Sequence, residues 1–127
     1  MITIFEHGAG LVSQQIPAEW NTQVVLKLDS GAMTFSFNNG DVLVEQQEAS
    51  DAEAIIELSD ERACSYIDGT IDFMTVWREL AEPSPTDRTY IKKGSGAKFF
   101  TVVDAIIKQY KKDNGFKQML DAYKAGL

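Results

Sequence analysis

A single cysteine and a single histidine stand among the 127 residues, and that scarcity removes several chemistries at once. Cys64 alone cannot close an internal disulfide or build a Cys-based zinc site. Its place in a helical stretch marks it as a small buried apolar side chain rather than a nucleophile. His7 lies between Glu6 and Gly8 near an N-terminus expected to be mobile, so a Ser-His or Cys-His machine would have to recruit it across the fold. There is no His pair, and the acids do not follow the calcium-loop pattern D-x-[DN]-x-[DN]-G. GSGAK at Gly94–Lys98 lacks the GxxxxGK[ST] spacing of a phosphate loop and has Phe99 where Ser or Thr would stand. No stretch approaches the roughly 18 apolar residues of a membrane span. The opening MITIFEHGAG has no basic flank before a long apolar run, so neither a secretory signal nor a transit peptide is read there, and a cytoplasmic protein is expected.

What is present is ordinary globular composition, 44% hydrophobic and 24% charged, at a length that suits one domain. The net charge of −7 is unevenly spread. Residues 1–89 carry sixteen acidic against four basic side chains, whereas residues 90–127 carry three acidic against eight lysines. Lysines on helices are commonly just solvated, and a basic end can also touch anionic lipid headgroups or acyl phosphates, so at most a peripheral membrane contact is expected. Nucleic acid is not expected as a partner, because the chain is acidic overall and has no aromatic-basic binding motif.

Alternation with a period of two marks the strands. Gln23–Leu28 reads QVVLKL, Met33–Phe37 reads MTFSF and Asp41–Glu45 reads DVLVE, separated by Asp29-Ser-Gly31 and Asn38-Asn-Gly40. Asn and Gly tolerate positive φ, so those gaps are hairpin turns. After the polar stretch QQEASDAE, Ala54–Leu58 reads as a fourth strand. Ser50 and Glu53 match a capping box there, yet AIIEL is too short and β-branched for a helix. Thr89–Lys93 is the last strand, followed by a turn at Gly94-Ser-Gly96.

The helices follow from capping and from a 3.6-residue period. Ser59 is an N-cap with Asp60 and Glu61 in the first turn, and Gly69 stops that helix after about two turns. Asp72 can start the next, where Phe73, Val76, Trp77 and Leu80 form a stripe widened by Met74 and ended by Pro83 and Pro85. A long helix after Gly96 carries Phe99, Phe100, Val102, Val103, Ile106, Ile107 and Tyr110, a face broader than one neighbour needs. A last helix after Gly115 carries Phe116, Met119, Leu120 and Tyr123. Before Trp20 the glycines and Pro17 interrupt any period, and a short helix is expected only at Leu11–Gln15. Asp68 and Asp72 bracket a glycine in the manner of paired carboxylates, but both sit at helix ends where caps belong, so no catalytic residues and no cofactor are expected.

An apolar surplus is left over. Tyr66, Ile67, Ile71, Phe73, Met74, Trp77 and Leu80, added to the long helix, exceed what a small sheet covers easily. A well-packed core accounts for such a surplus, and so does a concave apolar ligand site with few polar groups.

From Val24 to about Tyr110 the order of strands and turns, then AEAIIELSDE, YIDGTIDFMTVW, YIKKGSG and a long helix, resembles the sterol carrier protein type 2 family. The resemblance implies an α+β fold with a twisted, mostly antiparallel five-stranded sheet, one strand joined through a helical crossover, and helices covering one face. It implies a single domain over residues 1–127 with a C-terminal helix at 114–127. It also implies non-catalytic binding of a fatty acid, acyl-CoA or sterol-like lipid in a hydrophobic tunnel between helices and sheet. Carried onto this chain, the tunnel walls are Tyr66, Ile67, Phe73, Met74, Trp77, Phe100, Val103 and Ile107. The alternative is a protein-interaction module of the same fold with a filled core. Two departures stand out: AEPSPTDR at 81–88 is longer than the family's usual connection, and the family's N-terminal helix is poorly marked. The end AGL is not the peroxisomal address SKL.

Overall fold

A computed structural model describes residues 1–72, 74, 75, 78 and 90–127. Five strands form one sheet in the order β3-β2-β1-β4-β5. They are β1 (Gln23–Leu28), β2 (Gly31–Asn38), β3 (Asp41–Glu45), β4 (Ala54–Glu57) and β5 (Tyr90–Lys93). The expected hairpins are present: β1 pairs antiparallel with β2, and β2 with β3. Asn39 and Gly40 have φ of 53° and 89°. This is the left-handed pair that a two-residue turn between right-twisted strands demands.

Only β1 and β4 run parallel. The chain passes from β1 to β4 through β2, β3 and the polar stretch 46–53, which forms a loop without helix, so the capping-box match at Ser50 is not realised. The strand joined through helix is β5, which lies antiparallel to β4 with a register shift at Ile55/Ile56.

Four described helices are α1 (Ile2–Val12), α2 (Asp60–Ile67), α3 (Ala97–Tyr110) and α4 (Asn114–Ala125). The expected helix over 72–80 and the 81–88 connection lie largely outside the described residues. The N-terminal expectation is corrected: the helix covers Ile2–Val12, and the chain turns directly after it instead of beginning a helix at Leu11. Nor is His7 on a loose end, for it sits within α1 with its ring 5.2 Å from that of Phe116. Gly8, which reads as an interruption in the sequence, is a packing contact. A Cβ there would stand 3.1 Å from Ile106, so the missing side chain lets α1 approach α3. The buried stripe Ile4, Phe5, Gly8, Ala9, Val12 then has the helical period.

Register puts Val44, Phe35, Val24 and Ala54 in one row on one face of the sheet. All four are buried, together with Leu26, Met33, Phe37, Val42 and Ile56, in the cluster that includes the inner faces of the helices. Phe35 meets Phe5 of α1 edge-on at 5.5 Å and Phe99 of α3 at 6.0 Å, and Phe99 continues to Phe100 at 5.4 Å. Such aromatic pairs each add about 0.5–1.5 kcal/mol beyond their area burial.

The opposite face is covered in part by the 46–53 loop. Thr34, fully buried there, donates its hydroxyl to the Gln47 carbonyl at 2.7 Å and accepts the Ala49 N–H at 3.1 Å. Lys27 pairs with Glu48 at 2.9 Å, and the Glu53 N–H donates to the Gln23 carbonyl at 2.9 Å. Val25, on the same side as Thr34, is thereby fully buried although it faces away from the helices.

Three substitutions check this arrangement. Truncating Phe35 to Ala is expected to cost about 3–5 kcal/mol, measured by urea unfolding, because the ring is wholly enclosed. Unchanged stability would contradict the core assignment. At Gly94 (φ +70°) a Cβ would lie 2.2 Å from the Glu53 carbonyl oxygen, whereas at Gly10 it would meet nothing within 4 Å. Gly94→Ala should therefore destabilise by about 2 kcal/mol or more, and Gly10→Ala should stabilise α1 by about 0.5–1 kcal/mol.

Candidate functional site

The helical layer is organised by α2. Ser59 caps it as its spacing predicts, with Oγ accepting the Arg62 N–H at 3.0 Å. Gly69, at φ 79°, follows the C-cap Asp68 and ends it. Eight residues are enough to place Ala63, Cys64, Tyr66 and Ile67 in the core. Cys64 is a helical core residue, as expected from sequence, and burial pushes its thiol up to about 11. Its Sγ lies 3.7 Å from the Met1 sulfur.

The neighbouring helix α3 packs against α2 and contributes Phe99, Phe100, Val102, Val103 and Ile106. Of the expected wall residues, Tyr66, Ile67, Phe100 and Val103 are buried in one cluster, and Ile107 is partly buried against it. Met74 is placed differently: it is 69% exposed and meets solvent. Phe73 and Trp77 lie outside the described residues. The structure thus gathers four of the expected residues into one buried cluster on α2 and α3, with Ile107 at its edge.

The polar groups around this layer hold the helices in place. Asp60 is only 6% exposed at the start of α2. Its Oδ2 accepts the Tyr123 hydroxyl at 2.6 Å, its Oδ1 accepts the Ser30 N–H at 3.2 Å, and its own N–H donates to Asp29. Burial pushes the Asp60 carboxyl up, but the hydrogen bonds from Tyr123 and Ser30 outweigh it and hold the group below the ordinary carboxylate value. Burial first, and then the bond to Asp60, raise the Tyr123 hydroxyl to about 12.

At the other end of α2, Asp68 accepts from Lys124 at 2.6 Å and from the Thr70 N–H at 2.8 Å. Burial opposes ionisation of Asp68, and those two bonds again leave the carboxyl lowered. Consecutive residues of α4 therefore fasten both ends of α2. Sequence reasoning misses this clamp because its partners are 63 and 56 positions apart. Asp72, expected as a helix start, accepts the Thr75 N–H at 2.8 Å in that role.

Among the described residues no cluster of His, Cys, Asp and Glu could hold a metal ion, and no helix is long and apolar enough to cross a membrane.

A five-stranded mixed sheet, mostly antiparallel and open at both edges, with this helical layer is the sterol carrier protein-like fold. Among the solved structures that share it are the following three. The UbiJ-SCP2 ubiquinone synthesis protein superposes with a TM-score of 0.60 at 12% identity, covering 83% of this chain and 94% of its own. A sterol carrier protein 2 crystal structure gives 0.53 at 14% identity, over 84% of this chain and 90% of its own. A conserved hypothetical protein of Thermus thermophilus, described as a possible sterol carrier protein, gives 0.50 at 14% identity, over 81% and 83%. No protein-family model and no curated protein sequence matches the chain.

The clamp has a pH signature. Because the folded Asp60 carboxyl lies below its ordinary value of 3.8, its contribution is complete above that value and is lost as pH falls through the lowered one. Tyr123→Phe should cost about 1–3 kcal/mol at neutral pH, since the bond is to a buried carboxylate. The difference from wild type should shrink as pH falls below 3.8 and through the lowered value of the folded carboxyl. Equal unfolding midpoints at neutral pH would show that the bond contributes nothing.

Proposed function

We propose that the protein is a non-catalytic carrier of a lipid-like apolar ligand, a fatty acid, acyl-CoA or sterol-like molecule, held between helices and sheet. The observation that carries this reading is the convergence of Tyr66, Ile67, Phe100 and Val103 in one apolar layer under α2 and α3. It is joined to a fold shared with proteins described as sterol carriers. Phe73, Met74, Trp77 and Ile107 are the remaining residues of the proposed wall. Such a site needs a large apolar surface and few polar groups. The acids nearest it, Asp60, Asp68 and Asp72, are engaged in caps and clamps.

Titration with a fluorescent long-chain fatty acid, with native mass spectrometry of the purified protein, tests the proposal. Saturable binding, or a co-purified lipid, is expected. Val103→Phe should weaken binding at least several-fold with little change in melting temperature, because the added ring occupies ligand space. In a filled core the same ring overpacks and costs about 1–3 kcal/mol without any ligand. A destabilised variant of a protein that binds no acyl chain would leave the filled interaction module in its place.

A further inference from the structure

The geometry points to the corner where α3 turns into α4 as an electrostatic docking surface for an anionic lipid bilayer. This goes beyond the carrier reading and does not rest on it. Lys108 occupies the last turn of α3, Lys111 and Lys112 lie in the connecting turn, and Lys117 lies one turn into α4. Lys111 caps the end of α3 with helical φ and ψ, so Lys108, three positions earlier, stands beside it, and Lys112 follows in the turn. Lys111 and Lys112 are exposed and Lys117 is half-buried.

Three acids belong to this corner, and one of them, Asp121, lies one turn beyond Lys117 on α4, close enough to Tyr110 at the end of α3 to act on it electrostatically. Asp104 pairs with Lys108 at 3.2 Å, and Asp113 caps α4 by accepting the Phe116 N–H at 2.8 Å. Elsewhere the described lysines are largely engaged: Lys27 with Glu48, Lys92 with Glu57, Lys98 with Glu53 and Lys124 with Asp68. Among the described residues Lys111, Lys112 and Lys117 have no carboxylate partner.

The lysine-only composition of this end favours a lipid surface over an acidic protein. Residues 90–127 hold eight lysines and no arginine. Protein interfaces favour Arg and aromatic anchors and are depleted in Lys. Hydrated ammonium groups that can rotate suit the diffuse charge of a headgroup layer better than a fixed bidentate contact. The large acidic excess of residues 1–89 is repelled by the same layer, so the molecule approaches corner first.

Co-sedimentation with vesicles of phosphatidylglycerol and phosphatidylcholine in about equal parts tests this. Wild-type protein should bind at about 0.05 M salt and be released at about 0.5 M, where charges are screened over a few ångströms. It should ignore vesicles of phosphatidylcholine alone. At about fivefold per lysine, K111Q/K112Q/K117Q should lower partitioning roughly a hundredfold, while K93Q, on the exposed end of β5, should change it little. Absence of wild-type binding to the anionic vesicles overturns the proposal, as does equal binding by the triple variant. Lysine-dependent binding to polyglutamate without vesicle binding would assign the corner to an acidic polypeptide and overturn it too. Fatty-acid titration of the triple variant separates the two readings: retained acyl binding with lost vesicle binding supports both, and lost vesicle binding never bears on the carrier site.

Discussion

The contact of Phe35 with Phe5 and Phe99 fixes how the helical layer sits on the sheet. Phe35 stands in a row of buried residues spanning four strands, and its ring is met from the other side by one residue of α1 and one of α3. Three segments far apart in the chain are thereby referred to one point. The approach of α1 to α3 at Gly8, the burial of α2 against α3, and the seating of Phe116 and Leu120 of α4 follow from that placement. Interiors packed at crystal-like density transmit such constraints, because a displaced ring has nowhere else to go.

Polarity is used sparingly and over long distances. Thr34 and Asp60 are the buried polar or charged side chains among the described residues. Each satisfies its hydrogen-bonding groups with a segment remote in sequence, Thr34 with the 46–53 loop and Asp60 with the end of α4. An unsatisfied buried group costs about 1–3 kcal/mol. Misplacing either segment is penalised accordingly, which selects one arrangement among the many that hydrophobic burial alone would allow. Lys98 adds a similar tie at the surface, bonding Glu53 at 2.6 Å while lying 5.5 Å from the Trp20 ring centre.

The division of labour bears on function. The carboxylates that a sequence reader would test for catalysis serve at helix ends, and the cysteine is buried with a thiol held well above neutral pH. The side chains proposed to meet a ligand are apolar ones on α2 and α3, and the charges proposed to meet a surface are lysines at the α3–α4 corner. The proposed carriage within an apolar layer and the proposed docking by a basic corner are separable on one molecule because they use different residues.

Strands, hairpin turns and the capping of α2 were legible in the sequence because their causes are local: alternation at Gln23–Glu45, Asn39-Gly40 at positive φ, Ser59 three residues before the N–H it accepts. Half of the candidate site was legible in the same sense, since the helical period puts Tyr66 and Ile67, and Phe100 and Val103, on inward faces. Helix α1 was not, because Gly8 reads as a breaker until Ile106, 98 positions later, supplies the reason for it. The exposure of Met74, the parallel pairing of β1 with β4 and the clamp of α4 on α2 depended likewise on tertiary structure. Propensity and period act over a few residues and are written in the chain itself. The packing of a glycine on a distant helix, or of a tyrosine on a distant carboxylate, is a property of two surfaces that exist only once the chain has folded.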